Sequence, residues 1–169
     1  LAQEEVTLTG HAVEVRLYAE DPRNNFMPQT GTVRLWHSPT RAGLRVDHGR
    51  HPGQEVSPFY DPMLAKIIAF GESRSKAIRR LASAVQDTQL LGINNNKLFL
   101  QNVLRNEVFE RGDATTAFIE RFFISDVSMD QKAPSSATLA HAALLLLHGV
   151  DIKRDRTADW HNPVAAATS

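Results

Sequence analysis

The chain has no cysteine among its 169 residues, and this absence excludes several classes of site. Disulfide scaffolds, cysteine-ligated zinc, iron–sulfur clusters and thiol nucleophiles all need that side chain. An excess of one charge is also lacking, because 19 Lys and Arg balance 19 Asp and Glu. Nucleic-acid-binding surfaces typically carry a basic excess, so no nucleic-acid partner is expected.

Long apolar runs are lacking as well. The longest, residues 139–147, contains His141 and has about half the ~20 residues that a membrane-spanning helix needs, so no membrane partner is expected. The first residues show no basic segment followed by an apolar one, which is the pattern of a signal peptide. A chain that begins with Leu1 and a polar segment is expected to be a fragment of a longer polypeptide.

The seven histidines do not form a recognisable metal motif. His48 and His51 lie closest together, near Asp47, but in a segment rich in Gly and Pro and with a spacing unlike the usual zinc patterns. Solvated loop histidines are the simpler interpretation, so no metal ligands are predicted.

Residues 6–71 have the pattern of an antiparallel sheet. Alternation of apolar and polar side chains predicts two strands within 6–18, separated at Gly10, a strand over 31–39 and a short strand over 43–49. Residues 63–71 are apolar on both faces apart from Lys66, which is typical of a central strand. In the strand that follows Gly10, one face is apolar and the other carries Glu14, Arg16 and Tyr18.

Helical spacing of apolar residues begins after the sheet. It predicts one helix capped by Ser73 or Ser75 and ending at Gly92, a second over 94–109 capped by Asn94 or Asn95, and a turn with a short helix over 112–123. The fold class is therefore α+β.

The last part of the chain differs in composition, and we place a domain boundary between residues 1–124 and 125–169. Residues 125–135 have the composition of a polar linker. A helix that is apolar nearly all round follows and is expected to end at Gly149 and to pack on a neighbour. Residues 151–169 show no periodicity and are expected to be poorly ordered.

The segment Glu14–Tyr18 carries the strongest chemical signal. An arginine on a rigid strand suits anion binding, because its planar guanidinium donates to carboxylate, phosphate or bicarbonate oxygens. Glu14, two residues away, is placed to hold that guanidinium. The alternative is an ordinary ion pair on an exposed sheet face, and periodicity alone does not decide between the two.

Several long strings resemble one known family, and they occur in its order and spacing. The chain is similar to the C-terminal domain of biotin carboxylase, the ATP-grasp component of biotin-dependent carboxylases, over about residues 3–123. It looks most like the biotin-containing α subunit of an acyl-CoA carboxylase of the methylcrotonyl-CoA or geranyl-CoA type. The strings are GHAVEVRLYAEDPRNNFMPQTG, GLRVDHG, YDPMLAKIIAFGESRSKAIRRL, GINNNKLFL and FERGDATTAFIE.

This resemblance implies roles for particular residues. The arginine of the family's HAxExR motif lies beside bicarbonate and the biotin ureido oxygen, and that position is Arg16 here, with Glu14 as a supporting residue. Arg45 corresponds to an arginine at the family's dimer interface, but Ala42 replaces a bulky aromatic three residues before it. Thr116 corresponds to an apolar position on the adenine side of the ATP site.

The resemblance also implies what this chain does not contain. The family's MNxRxQVEHxVTE segment, its Gly-rich ATP lid and its biotinyl-lysine motif do not occur here. Biotin, ATP and Mg²⁺ are therefore cofactors of the longer protein, and this fragment alone is expected to hold none of them and to be inactive. Residues 125–169 would begin the connection to the next domain.

The implied partners are the remainder of the biotin carboxylase domain, the biotin carboxyl carrier domain, the carboxyltransferase β subunit and a second copy in a homodimer. The implied location is the cytoplasm of a bacterium, with the mitochondrial matrix as the alternative. Two other functions remain open from the residues alone: a non-catalytic assembly module, and an anion-binding α+β domain that uses Glu14, Arg16 and Tyr18.

Overall fold

The structure, a computed structural model, describes residues 2–57, 59–130 and 133–155, with side chains up to residue 147. Most of the strands precede the α-helices, as expected of an α+β chain. Over the described residues the strands are β1 (His11–Tyr18), β2 (Glu20–Asp21), β3 (Met27–Pro28), β4 (Gly31–Thr32), β5 (Leu35–His37), β6 (Leu44–His48), β7 (Glu55–Val56), β8 (Met63–Gly71) and β9 (Gln89–Leu91), and the helices are α1 (Arg74–Asp87), α2 (Lys97–Leu104), α3 (Glu107–Arg111), α4 (Phe118–Phe122) and α5 (Ser136–Asp155).

The central sheet is antiparallel and has the order β1-β8-β6. The predicted central position of β8 is therefore confirmed. Three shorter two-stranded pairs, β2–β3, β4–β7 and β5–β9, complete the β structure of the described residues. The α+β prediction is confirmed.

The main core lies between the inner face of this sheet and helix α1. Alternate side chains of β1 and β8 point to the same side, and α1 covers them with an apolar stripe. Ser73, one of the two residues predicted to cap this helix, is its N-cap. Its hydroxyl accepts a hydrogen bond from the Lys76 N–H at 3.3 Å. The buried core residues are Val13, Val15, Ile67, Ala69, Ala77, Ile78, Leu81, Ala84, Val85 and Leu104.

Two predicted strands are wrong in detail. Residues 6–9 form no strand, because the pairing of β1 with β8 ends at the His11–Gly71 pair and nothing continues the ladder. The predicted strand over 31–39 is two short strands that pair with different partners, β4 with β7 and β5 with β9. The chain switches between them where the Val33 N–H donates to the Gln54 carbonyl and the Arg34 N–H donates to the Leu91 carbonyl.

Two predicted helix ends are also wrong. Helix α1 stops at Asp87 rather than Gly92, because Thr88 is buried, donates its hydroxyl to the Ala84 carbonyl at 2.8 Å and leads directly into β9. The helix predicted over 94–109 is broken into α2 and α3. The break lies at Asn106, whose side chain accepts from the Val108 N–H at 2.9 Å and so caps a new helix.

The chain divides into two compact units, Leu1–Gln131 and Lys132–Ser169. Residues 125–130, which composition assigns to a linker, are packed in the first unit. Asp126 accepts a hydrogen bond from the Asn102 side chain at 2.8 Å, Ser128 is buried, and Met129 packs against a cluster of phenylalanines. Residues 125–130 are therefore polar because they form turns held by side-chain hydrogen bonds, and not because they form a linker.

The second unit contains helix α5. Its start agrees with the prediction, because the Ser135 hydroxyl accepts from the Thr138 N–H at 3.1 Å. Its end does not agree, since the helix continues past Gly149 to Asp155. Among the described residues, no helix combines the length and the apolar content that crossing a bilayer requires. The predicted disorder of residues 151–169 concerns a segment that lies, from residue 156 onwards, outside the described residues.

Replacement of Leu81 tests the core between α1 and the sheet. Leu81 is completely buried, so Leu81→Ala should leave a cavity and lower the free energy of unfolding by about 2–5 kcal/mol. Leu98→Ala on α2, where the side chain is 49% exposed, is the matched control and should cost much less. Urea unfolding followed by circular dichroism measures both, and equal losses would contradict this description of the core.

Candidate functional site

The outer face of the central sheet carries five charged side chains, which we call the charged face. Antiparallel pairing places opposed residues on the same side of a sheet. One row across the three strands is Arg16, Lys66 and Asp47, and the adjacent row is Glu14, Ile68 and Arg45. The charged face therefore consists of Glu14, Arg16, Arg45, Asp47 and Lys66.

Arg16 is the more exposed of the two charged side chains that β1 contributes to the charged face. Its guanidinium Nε donates to Glu14 Oε1 at 3.4 Å, and its side chain is 56% exposed. The Tyr18 side chain and then the Glu14 carboxylate raise the pKa of Arg16 further above its already high ordinary value. The ion pair with Glu14 uses Nε, so the N–H donors on the two terminal nitrogens of the guanidinium are not engaged by that carboxylate.

Glu14 lies between two cations. Its Oε1 accepts from Arg16, and its Oε2 lies 4.0 Å from the Lys66 ammonium. A carboxylate shared in this way restricts the guanidinium while leaving the local charge positive. Glu14 thus contacts the Arg16 guanidinium, and its role as a supporting residue stays a prediction.

Arg45 and Asp47 form a second pair on the same face. The Arg45 Nε donates to Asp47 Oδ1 at 2.8 Å, across one intervening residue of β6. This hydrogen bond, together with the positive charges of Arg45 and Lys66, lowers the pKa of the Asp47 carboxyl. Both side chains are exposed, so the ion pair contributes little to the free energy of unfolding. The two residues are instead exposed for contacts with other molecules.

The other predicted residues lie apart from Arg16. Ala42 is exposed in the turn that precedes β6, and Thr116 is exposed in the turn that precedes α4. No hydrogen bond or ion pair among the described residues links Thr116 to Glu14 or Arg16. The dimer-interface and adenine-side roles of these positions stay predictions.

Two residues of the site region were not predicted from the sequence. Lys66 is the single charge in the apolar string of β8, and its position opposite Arg16 follows only from the strand register. Asn96 is 4% exposed and hydrogen-bonds to the β1 backbone at Arg16 and Tyr18. The sequence predicts Asn94 or Asn95 as the cap of α2, but this is wrong: the residue before the helix is Asn96, and its side chain turns to β1 instead of capping the helix.

The histidines near Asp47 have local partners. The Trp36 Nε1–H donates to His48 Nε2 at 3.5 Å, and the His51 ring contacts the Pro52 carbonyl. Among the described residues no group of three or more His, Asp or Glu side chains is arranged to hold a metal ion.

The fold and the charged face together define an α+β lobe that presents an arginine, held by a glutamate, on the open side of a three-stranded sheet. The chain belongs to the family described as the biotin carboxylase C-terminal domain, whose family model matches residues 14–121. That match begins at Glu14 and includes every residue of the charged face.

Two relatives illustrate the range of the family. The chain is 43% identical over 118 residues to a biotin carboxylase of Halalkalibacterium halodurans, which covers 70% of this chain and 26% of that protein. It is 38% identical over 149 residues to the mitochondrial methylcrotonoyl-CoA carboxylase subunit alpha of Dictyostelium discoideum, which covers 87% of this chain and 21% of that protein. The chain thus spans about a quarter or less of the length of these relatives.

Solved structures share the fold. The biotin carboxylase domain dimer of the Hydrogenobacter thermophilus 2-oxoglutarate carboxylase, in complex with MgADP, ADP and bicarbonate, matches 79% of this chain with a TM-score of 0.73 and 29% identity. The biotin carboxylase subunit of a pyruvate carboxylase matches with a TM-score of 0.72 and 31% identity. In these matches the chain covers 29% of the solved chain.

The Arg45–Asp47 pair can be tested by titration. Because the pair lowers the pKa of Asp47, the interaction is present above the ordinary pKa of an aspartate and is lost as the pH falls through the lowered value. Arg45→Gln should therefore move the Asp47 titration midpoint upward toward about 3.9 in carboxyl ¹³C NMR. Arg16→Gln, on the same face but not in contact with Asp47, is the control, and an unchanged midpoint in Arg45→Gln would show that the pair does not form in solution.

Proposed function

We propose that this chain is the C-terminal lobe of the biotin carboxylase component of a biotin-dependent acyl-CoA carboxylase α subunit. The longer protein carboxylates biotin with ATP and bicarbonate, and this lobe supplies one arginine to the bicarbonate and biotin site. The family membership, the names of the relatives and the bicarbonate held by the Hydrogenobacter thermophilus structure support this function.

One observation carries the proposal. Arg16 is an exposed side chain on strand β1 with Glu14 at its Nε, on a face where three cations outnumber two carboxylates. A site of this kind fits a small planar anion such as bicarbonate, since the fork of N–H donors matches two oxygens. Binding of Mg²⁺ and of the nucleotide phosphates is assigned to the remainder of the longer protein, because the family's MNxRxQVEHxVTE segment and Gly-rich ATP lid do not occur in this sequence.

The chemistry of this lobe is positioning and electrostatic stabilisation. When bound in the longer protein, ATP and Mg²⁺ activate bicarbonate, and biotin accepts the carboxyl group. Arg16 holds the bicarbonate oxygens and stabilises the negative charge that develops on the ureido oxygen as biotin becomes nucleophilic. Glu14 keeps the guanidinium in the plane that this requires.

The remaining residue roles belong to the same proposal. Arg45 is an interface residue for a second copy, and Ala42, three residues before it, lacks the bulk for an aromatic contact. Thr116 lies on the adenine side of the nucleotide site of the longer protein. The functional lobe, predicted as residues 1–124, also takes in residues 125–130, which pack in the first unit, and the rest of the predicted segment 125–169 begins the connection to the next domain.

Partners and location follow from the α-subunit assignment. An alignment over 87% of this chain has to extend well beyond residue 124, which supports an α subunit that continues into further domains. The proposed partners are the remainder of the biotin carboxylase domain, the biotin carboxyl carrier domain and the carboxyltransferase β subunit. Bacterial and mitochondrial relatives support the bacterial cytoplasm or the mitochondrial matrix as the location.

The 169-residue chain by itself should be inactive. Residues 1–169 purified alone should show no bicarbonate-dependent ATP hydrolysis, because the site is completed by residues outside the chain. A coupled ADP assay with and without free biotin measures this. Biotin-stimulated turnover by the pure chain would overturn the shared site, and tight binding of bicarbonate or phosphate without turnover would favour an independent anion-binding domain.

Arg16→Ala in the full-length protein tests the assigned arginine. Loss of one donor to a developing oxyanion typically lowers the rate about 10²-fold or more, and biotin carboxylation should fall by that factor. Arg79→Ala, which removes an exposed arginine of α1, is the control and should leave the rate unchanged. A rate near wild type for Arg16→Ala would show that the residue is misassigned.

A further inference from the structure

We propose that Asn96 is a positioning residue for Arg16, an inference that rests on the proposed function of Arg16. The buried Asn96 side chain hydrogen-bonds to the backbone of β1 on both sides of Leu17, at Arg16 and at Tyr18. It fixes the direction in which Arg16 leaves the strand and takes no part in ligand binding itself.

The backbone near Arg16 needs an additional constraint. Strand β1 is an edge strand of the central sheet, so β8 pairs with it on one side only. The β1–β8 register shifts between Leu17 and Tyr18, where Leu17 opposes Ala65 and Tyr18 opposes Met63. A bulge of this kind loosens the ladder and redirects side chains locally, and it begins one residue after Arg16.

Asn96 supplies hydrogen bonds at that point on the unpaired edge. Its Oδ1 accepts from the Tyr18 N–H at 3.0 Å, and its Nδ2 donates to the Arg16 carbonyl at 3.3 Å. Its own backbone N–H donates to the Tyr18 carbonyl at 3.2 Å. A single residue thus takes the place of a neighbouring strand over the bulge.

Asn96 is in turn fixed by helix α2. It is the first residue before that helix, and its carbonyl accepts from the Leu100 N–H at 3.0 Å. The helix is anchored in the core by Phe99 and Leu104. The position of Arg16 is therefore coupled through Asn96 to a packed helix, and not only to the sheet.

The neighbouring asparagine provides a matched control. Asn95 carries the same amide in the same turn, but its side chain bonds only locally, accepting from the Lys97 N–H at 3.1 Å and donating to the Ile93 carbonyl at 3.0 Å. Loss of Asn95 therefore weakens the start of α2 without releasing β1.

The test is a double-mutant cycle in the full-length protein, with biotin-dependent ATP cleavage as the readout. Asn96→Ala should lower kcat about 10–100-fold with the KM for ATP unchanged, since misplacement of a catalytic group by about 1 Å is that costly. Asn95→Ala should change kcat by less than about twofold. In an Arg16→Ala background, Asn96→Ala should have almost no further effect, because residues that act as a unit are not additive.

Each other outcome identifies what has failed. If the two substitutions lowered kcat by the product of their separate factors, Asn96 would act independently of Arg16 as a general stability residue, and this inference alone would be overturned. An unchanged kcat in Asn96→Ala would have the same consequence. An unchanged rate in Arg16→Ala would overturn the proposed function and this inference with it.

A second variant and a second measurement cover the case in which Asn96→Ala does not fold. Asn96→Asp keeps the volume and the acceptor for Tyr18 but faces the Arg16 carbonyl with an oxygen, and it should also lower kcat. Hydrogen exchange of the Tyr18 amide in residues 1–169 should be faster in Asn96→Ala or Asn96→Asp than in Asn95→Ala. Equal exchange and an unchanged kcat in Asn96→Asp would overturn the proposal.

Discussion

The register of β1 against β8 is the constraint on which the rest of this structure depends. Side chains alternate along a strand, so a slip of one residue would exchange the two faces of β1. In the observed register Val13, Val15 and Leu17 are buried, and Glu14 and Arg16 are exposed. The same pairing that forms the core therefore also forms the charged face.

Two sets of contacts stabilise this register. Helix α1 covers the inner face with an apolar stripe, and burial of that stripe would be lost if the strand moved by one residue. The second constraint is polar and local, at the bulge after Leu17, where Asn96 hydrogen-bonds to the free edge of β1. The apolar layer selects the face on which Arg16 lies, and the polar contact determines where on that face its guanidinium is.

The charged face of the sheet is an open surface. The charged face has no covering layer within the first unit's sheet and helices, and its cations are only partly neutralised by Glu14 and Asp47. An exposed arginine in water binds small anions weakly, because solvent screens the charge. The chemistry proposed for the longer protein therefore relies on groups beyond this face, and the chain spans about a quarter of the length of its biotin carboxylase relative.

The sequence alone determined the α+β class, the central strand β8, the cap at Ser73 and the alternation that exposes Glu14 and Arg16, since these depend on local periodicity and local hydrogen bonds. The HAVEVRLY and YDPMLAK strings also determined the family. Tertiary structure alone decided the partners: which strands β4 and β5 pair with, where Thr88 ends α1, that Lys66 lies opposite Arg16, and that Asn96 rather than Asn94 or Asn95 turns inward. The physical reason is that pairing and burial are contacts between residues far apart in the chain, and a local pattern does not specify its distant partner.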